Sequence, residues 1–168
     1  SKPLMVHVIT NFAGVGGAEM MLARLIQYTE HQYEHVIIAL MKTSEVYQST
    51  LDRCQAHYGL DWNGINTLGT VSKLRTLLKK LQPATVQCWM YHANVLTSLS
   101  IIGLAQKPKV VWGIHHSLAS PKDESISTKI ALALSKILSQ QAIAIIYCAH
   151  SSMQQHQAFG FKNGYSQV

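Results

Sequence analysis

The sequence predicts an α/β fold built on one doubly wound parallel sheet. Short apolar segments alternate with helical patterns at a spacing of roughly 20–30 residues, which is the rhythm of βαβ units. Several of these segments are continuously apolar, as in parallel strands that are covered on both faces. With 168 residues and 48% hydrophobic content, the chain can bury one sizeable core. We therefore expect residues 1–168 to form a single Rossmann-like domain, a three-layer sandwich.

The apolar segments place the strands, and turn and capping signals place the helices between them. The predicted strands are 4–9, 35–41, 65–68, 85–90, 110–114 and 142–147. The first helix, 17–29, follows a glycine turn, the second starts at the cap residue Ser44, and the third ends before Pro83. A polar turn precedes the fifth helix. The predicted helices are 17–29, 44–57, 70–81, 92–105, 125–139 and 151–158.

Composition favours anionic partners and a partly covered surface. Fourteen Lys and Arg residues against eight Asp and Glu residues give a net charge of +6, which suits nucleotides or phospholipids. The charged fraction, 13%, is about half of what soluble domains usually contain. We expect a second domain, another subunit or a membrane to cover part of this surface. No alternation of basic and aromatic residues occurs, so nucleic acid is not an expected partner.

Cysteines and histidines show no metal-ligand spacing. Two of the three cysteines, Cys88 and Cys148, lie in apolar runs and are predicted to be buried. Four histidines are predicted to be surface or cap residues: His31, His35, His57 and His150. No secretory signal and no apolar run of membrane-spanning length is visible. The expected location is cytoplasmic, with no metal and no cofactor.

The turn after the first strand is a candidate anion site. Gly14, Gly16 and Gly17 precede an amphipathic helix, whose exposed N–H groups and partial positive charge suit a phosphate. Glu19 stands where a dinucleotide fingerprint needs its third glycine, which disfavours a dinucleotide oxidoreductase. The alternative is a tight turn in which Glu19 stabilises the first helical turn.

Two further groups of polar residues follow predicted strands. Tyr91, His92 and Asn94 open a helix after the fourth strand and offer hydrogen bonds to sugar hydroxyls, although an aromatic helix staple is equally consistent with them. His115 and His116 follow the fifth strand, where one imidazole suits a hydrogen-bond donor or a general acid or base, although a structural role is equally consistent with the pair. No self-contained catalytic set emerges, because acidic residues are scarce.

Four sequence blocks together resemble one family. They are Gly16-Gly-Ala-Glu19, residues 86–94 (VQCWMYHAN), residues 110–117 (VVWGIHHS), and residues 147–152 (YCAHSS) with 156–161 (HQAFGF). These blocks are similar to the N-terminal domain of retaining GT-B glycosyltransferases of family four (glycosyl transferases group 1). The resemblance covers nearly the whole chain and implies the N-terminal half of a GT-B fold.

The resemblance implies roles for individual residues. Gly14, Gly16, Gly17 and Glu19 would form the donor-phosphate loop, and His115 or His116 would sit beside the transferred sugar. Relatives with His-Asp or His-Asn favour His115, and relatives with Arg-His-Ser favour His116, so the assignment stays split. The residues expected to bind the acceptor are Asn11, Tyr91, His92 and Asn94. Asn94 stands where relatives often have Asp, which puts a carboxylate role there in doubt.

The resemblance also implies partners. The donor would be a nucleotide-diphosphate sugar, and the acceptor a sugar or a lipid-linked molecule in bacterial surface polysaccharide or glycolipid synthesis. We expect a donor-binding C-terminal domain that this chain lacks, and an inactive isolated domain. Peripheral contact with the inner membrane face through Lys73, Arg75, Lys79 and Lys80 is a separate hypothesis, and an ordinary solvated helix face is the preferred interpretation of these residues. The rival interpretation is a non-catalytic α/β ligand-binding or regulatory module.

Overall fold

The computed structural model describes residues 1–114 and 125–168. They form one sheet of seven strands in the order β3-β2-β1-β4-β5-β6-β7. Each pair of neighbouring strands is parallel. The strands are β1 (Leu4–Ile9), β2 (Glu34–Ala39), β3 (Ala56–Gly59), β4 (Thr85–Trp89), β5 (Lys109–Ile114), β6 (Ala144–Tyr147) and β7 (Ser166–Gln167). The predicted doubly wound parallel sheet is confirmed.

Helices cover the sheet on both sides. They are α1 (Gly17–Thr29), α2 (Gln48–Leu51), α3 (Thr67–Leu81), α4 (Tyr91–Ser100), α5 (Ile126–Leu138) and α6 (His150–Phe159), with a 3-10 turn at Glu45–Tyr47 before α2. Successive strand residues point to opposite faces, so Val8 and Ile9 belong to different core clusters. Leu22 of α1 packs in the cluster that contains Ile9, whereas Leu74 of α3 packs in the cluster that contains Val8.

The predicted strand at 65–68 is wrong. Asn63 and Asn66 exchange hydrogen bonds between their side chains and backbone N–H groups, which closes a turn that leads into α3. Ile65 is exposed in this turn. The third strand is instead β3, and it lies at an edge of the sheet, paired with β2. The predicted helix at 44–57 is correspondingly shorter and is divided into the 3-10 turn and α2. Ser44 caps the 3-10 turn by accepting a hydrogen bond from the N–H of Val46.

Other boundaries shift by a few residues. Helix α4 ends at Ser100 rather than at residue 105. Cys88 is buried as predicted, and burial raises the pKa of its thiol to about 12. Cys148 is exposed, which corrects its predicted burial, because it lies just beyond the last residue of β6 at the edge of the sheet.

The expected surface position of His35 is also wrong, because it is buried in a chain of hydrogen bonds. The indole N–H of Trp89 donates to Nδ1 of His7 (3.3 Å), and Nε2 of His7 lies 2.9 Å from Nδ1 of His35. Nε2 of His35 lies 2.9 Å from Oγ1 of Thr29, whose hydroxyl donates to the carbonyl of Leu25 (2.5 Å). Since His7 accepts at Nδ1, two neutral rings satisfy every link, each donating from Nε2.

Burial and mutual repulsion keep both rings neutral. Loss of solvation and the neighbouring His35 lower the pKa of His7 to about 3. Burial also lowers the pKa of His35, against the opposing effects of Thr29, Glu34 and Glu30. The pair fastens α1 to β1 and β2.

Candidate active site

The candidate site lies at the carboxyl ends of β1, β4 and β5. Ile9 is aligned with Trp89, and Trp89 with Gly113, so these three strands end at one level. The helix after β1 packs on one face of the sheet and the helix after β4 packs on the other, so the two loops diverge. Such a switch point is where open α/β sheets bind ligands.

The glycine loop presents open backbone at this edge. Gly14 and Gly17 are exposed, and a Cβ added at either position would meet no atom within 4 Å. Helix α1 begins at Gly17 with no side-chain hydrogen bond at its cap residue, Gly16. The first N–H groups of an α-helix have no carbonyl partner within the helix, so they face whatever binds here.

Gly16 has a different role from its two neighbours. The carboxylate of Glu19 lies in the space that a Cβ of Gly16 would occupy. A negative charge in the first helical turn offsets the partial positive charge of the helix start. Glu19 therefore folds over the loop and stabilises the helix in the absence of a ligand.

A tyrosine from the next βα unit anchors the loop. The hydroxyl of Tyr47 donates to the carbonyl of Gly14 (2.6 Å), and its ring stacks on Phe12 with a centroid distance of 4.2 Å. Burial and the nearby Glu19 raise the pKa of Tyr47, so its hydroxyl remains a donor. Phe12 forms an isolated parallel bridge with Thr43, which extends the pairing of the sheet into the loop.

The turn after β4 is strained. Met90 has φ 79° and ψ 176°, a region that is essentially restricted to glycine. Its N–H bonds to the carbonyl of Gly113 (3.1 Å), which holds this backbone against β5. Strain of this kind costs about 1–3 kcal/mol and concentrates at functional sites. We regard Met90 as the residue that sets the direction of α4.

Two of the four residues expected to bind an acceptor are partly accessible. His92 is half-buried against the ring of Trp62 (5.1 Å between centroids), and burial lowers its pKa. Asn11 is half-buried, and its Oδ1 accepts a hydrogen bond from the N–H of Lys42 (3.4 Å). His92 lies in the first turn of α4, and Asn11 lies in the loop after β1.

The other two residues are buried. The hydroxyl of Tyr91 bonds to Nε2 of His156 (2.5 Å), while Nδ1 of His156 donates to the carbonyl of Ser152 (2.7 Å). Asn94 is fully buried, and neither of its amide atoms has a hydrogen-bond partner within residues 1–114 and 125–168. Tyr91 thus links α4 to α6.

The candidate catalytic histidines, His115 and His116, lie outside the described residues. Strand β5 ends one residue before them, at Ile114. In the part of the chain that the structure describes, no group of three or more His, Cys, Asp or Glu side chains is arranged to hold a metal ion.

Three contributors to this edge were missed by sequence reasoning. Tyr47 lies 33 positions from Gly14, and His156 lies 65 positions from Tyr91, so no local pattern connects them. The backbone conformation of Met90 could not be predicted either, because its positive φ is typical of glycine and the residue is a methionine. Only the topology of the sheet brings these residues together.

Comparison with known families gives one match over most of the chain. The model of Glycosyltransferase Family 4 matches residues 15–168. No curated protein matches the sequence significantly.

Solved structures share the fold at low sequence identity. The crystal structure of Anabaena HepE in complex with UDP has a TM-score of 0.73 at 14% identity, over 100% of this chain and 43% of HepE. The apo lipopolysaccharide outer core galactosyltransferase WaaB has a TM-score of 0.69 at 11% identity, over 98% of this chain and 44% of WaaB.

An enzyme of another class is also similar. The UDP-N-acetylglucosamine 2-epimerase from Rickettsia bellii has a TM-score of 0.66 at 12% identity, over 99% of this chain and 44% of the epimerase. At these identities the likeness shows the fold alone. The chain spans less than half the length of each of the three proteins.

Proposed function

Since the chain belongs to Glycosyltransferase Family 4, we propose that it is the N-terminal, acceptor-side domain of a retaining glycosyltransferase. The enzyme moves a sugar from a nucleotide-diphosphate sugar to an acceptor hydroxyl. A second, donor-binding domain faces the carboxyl edge of this sheet and completes the site. The open glycine loop at the start of α1 is the observation that carries the proposal.

The loop supplies one side of the diphosphate site. Gly14 and Gly17 leave space for phosphate oxygens to approach the backbone, and the start of α1 adds partial positive charge. Anabaena HepE was crystallised with UDP and with UDP-glucose, which makes these the first ligands to test. Glu19 carries the same sign of charge as the diphosphate, so binding requires its carboxylate to leave the loop.

The reaction transfers the sugar with its anomeric configuration retained. The bond between the anomeric carbon and the diphosphate oxygen breaks, a bond to the acceptor oxygen forms on the same face, and the acceptor proton leaves with the diphosphate. Helix-terminal N–H groups stabilise the negative charge that develops on the leaving group. Either His115 or His116 contacts the transferred sugar, and His92 and Asn11 contribute to acceptor binding.

A pair of glycine variants tests the loop. Gly17→Ala and Gly69→Ala each add one methyl group at the start of a helix, at positions where a Cβ meets no atom within 4 Å. Both should therefore fold. In the full-length protein, Gly17→Ala should weaken UDP binding and lower kcat/KM for UDP-glucose at least about tenfold, which corresponds to 1.4 kcal/mol.

Gly69→Ala is the matched control and should leave both quantities unchanged. Equal UDP affinities for Gly17→Ala and wild type would remove the loop from the donor site. If no nucleotide sugar supports transfer by the folded full-length protein, the proposed activity fails.

Separate measurements test which histidine contacts the transferred sugar and whether the anomeric configuration is retained. His115→Gln and His116→Gln should differ, and the one that contacts the sugar should lower kcat about a hundredfold. The anomeric configuration of the product, determined by NMR, decides between retention and inversion.

The principal alternative to glycosyl transfer is that this fold carries another activity. The Rickettsia epimerase has this architecture, so the fold by itself does not exclude epimerisation or ligand binding without turnover. Following both nucleotide release and the fate of the sugar distinguishes the three. Free UDP together with a glycosylated acceptor supports the transferase.

A further inference from the structure

A histidine of α6 is held in one orientation inside the domain. His156 is fully buried, and its Nδ1 donates to the carbonyl of Ser152 (2.7 Å), one helical turn earlier. Because a carbonyl oxygen only accepts hydrogen bonds, Nδ1 carries the proton of the neutral ring and Nε2 is an acceptor. The ring also packs against Tyr147 and Phe161, at centroid distances of 5.6 and 5.1 Å. His156 is therefore a fixed anchor with one defined acceptor atom.

This acceptor holds the first residue of α4. The hydroxyl of Tyr91 donates to Nε2 of His156 (2.5 Å), and both side chains are buried. Tyr91 directly follows Met90, whose φ of 79° persists only where the surrounding structure determines it. The turn is held from two directions, because the N–H of Met90 bonds to the carbonyl of Gly113 in β5 (3.1 Å) while Tyr91 bonds to α6.

The same turn carries a candidate acceptor residue. His92 directly follows Tyr91, is half-buried, and lies against the ring of Trp62 with 5.1 Å between the centroids. Successive residues of a helix point about 100° apart, so a rotation of Tyr91 about the axis of α4 carries His92 with it. The buried hydroxyl of Tyr91 is engaged with His156, so it is better suited to fixing the direction of His92 than to binding an acceptor.

We propose that His156 is a positioning residue, which acts through Tyr91 to hold His92 in the orientation that receives the acceptor. The inference rests on the proposed function, because it uses the role of His92 in acceptor binding. His156 itself contacts no substrate in this arrangement. An acceptor hydroxyl meets a side chain whose direction is already set, and such preorganisation lowers the cost of binding.

Two tyrosine variants test the hydrogen bond. Tyr91→Phe removes the hydroxyl that bonds to His156 and keeps the ring. Tyr147→Phe is the matched control, because it removes a buried hydroxyl beside the same imidazole that has no hydrogen-bond partner within residues 1–114 and 125–168. Both variants retain an aromatic ring in the core, so both should fold, and thermal melting curves check this.

The titration of His92 in the ligand-free full-length protein is the first measurement. Burial lowers the pKa of His92. Tyr91→Phe should raise this pKa toward its ordinary value of 6.5, because a loosened start of α4 exposes the imidazole to water. NMR of protein isotope-labelled at its histidines follows the titration, and the signal that is missing from His92→Gln identifies the residue. Tyr147→Phe should leave the titration of His92 unchanged.

Amide hydrogen exchange is the second measurement. The N–H of Asn94 bonds to the carbonyl of Met90 (3.0 Å) and closes the first turn of α4. Its exchange should be at least about tenfold faster in Tyr91→Phe, which corresponds to 1.4 kcal/mol, because the turn opens more often. Tyr147→Phe should leave the exchange rate unchanged.

Two amide variants separate positioning from general stability. The amide of His156→Gln reaches the place of Nε2 and can accept from Tyr91, whereas the shorter amide of His156→Asn reaches the place of Nδ1 and can donate to Ser152. Each variant thus keeps one of the two bonds. His156→Gln should retain the wild-type titration of His92, and His156→Asn should shift it as Tyr91→Phe does. Should either amide variant fail to fold, the tyrosine pair decides alone.

An unchanged titration of His92 in Tyr91→Phe would overturn the inference, and so would equal titrations in folded His156→Gln and His156→Asn. These measurements use no nucleotide sugar. If the full-length protein transfers no sugar while His92 shifts as expected, the proposed function fails and the effect of His156 on His92 stands. If transfer occurs and His92 does not shift, the positioning role alone fails.

Discussion

The two helical layers of this domain differ in the charge of the residues that surround their exposed apolar side chains. The layer formed by α1 and α2 has exposed apolar residues such as Tyr28 and Val46, but the chain around it also carries Glu30, Glu45 and Asp52. The layer formed by α3, α4 and α5 also exposes apolar residues, such as Ile126, Ile130 and Ile137 of α5, but these three helices contain no carboxylate side chain. Beneath α1 the sheet contributes a buried histidine pair, whereas beneath α4 and α5 it contributes Trp112 and aliphatic side chains. The two layers therefore differ in charge rather than in apolar exposure, because the first combines exposed apolar residues with acidic ones and the second combines them with lysines.

The largest expected effect separates the two sides of α5. Leu132→Ala should lower the free energy of unfolding by about 2–5 kcal/mol, because it leaves a cavity in a fully packed core. Ile130→Ala should change it by less than about 0.5 kcal/mol, since the side chain of Ile130 is 58% exposed. Urea denaturation of the two variants makes the comparison. Similar decreases in the free energy of unfolding of both variants would mean that the Ile130 side chain is packed in the core.

A fall in pH should have an intermediate effect on the free energy of unfolding. It arises from the buried histidine pair beneath α1. The pKa of His7 is about 3 in the folded protein and ordinarily 6.5, so the unfolded chain binds more protons between these values. The free energy of unfolding should therefore fall as the pH falls through this window, by about 2 kcal/mol from pH 7 to pH 5 for His7 alone. His35 adds to the loss, because its pKa is also lowered.

Denaturant titrations at several pH values measure this dependence. His7→Gln should flatten it, since an amide does not titrate in this range, and the exposed His31→Gln should leave it unchanged. A wild-type stability that is constant from pH 7 to pH 5 would mean that the buried pair is not kept neutral by folding.

The smallest effect concerns the anchor of the glycine loop. Tyr47→Phe removes the hydrogen bond to the carbonyl of Gly14 and keeps the stack on Phe12, so it should lower the free energy of unfolding by about 1 kcal/mol. Amide hydrogen exchange in residues 13–17 should become faster. Tyr28→Phe, on the exposed side of α1, should change neither. Unaltered exchange in Tyr47→Phe would show that the loop is held by other contacts.

The sequence predicted the elements whose signals are local. The glycine turn, the helix at 17–29 and the buried parallel strands all follow from residue types at short spacing. Strand β3 was missed because an edge strand is only half covered, and its residues Ala56–Gly59 alternate between half-buried and exposed. The exposed Ile65 suggested a strand in its place, since composition alone does not reveal which side chains fold inward.

The candidate site was predicted in its position and only partly in its members. The rhythm of strands and helices predicted a doubly wound parallel sheet with its site at the carboxyl ends of the strands, but the strand order, which places β1 beside β4, comes from the structure. The direction of each side chain depends on distant partners. Tyr91 is held by His156, 65 positions away, which no spacing predicts, whereas the position of Glu19 over Gly16 agrees with the role at the helix start that the sequence offered as an alternative.

The strained turn at Met90 has a consequence for evolution and for engineering. A glycine at this position would remove about 1–3 kcal/mol of backbone strain, but it would also lose the packing of the Met90 side chain against the core and add backbone entropy to the unfolded chain. The same change would make the backbone at the start of α4 more flexible. Position 90 is therefore where a relaxed backbone and a fixed direction of α4 oppose each other.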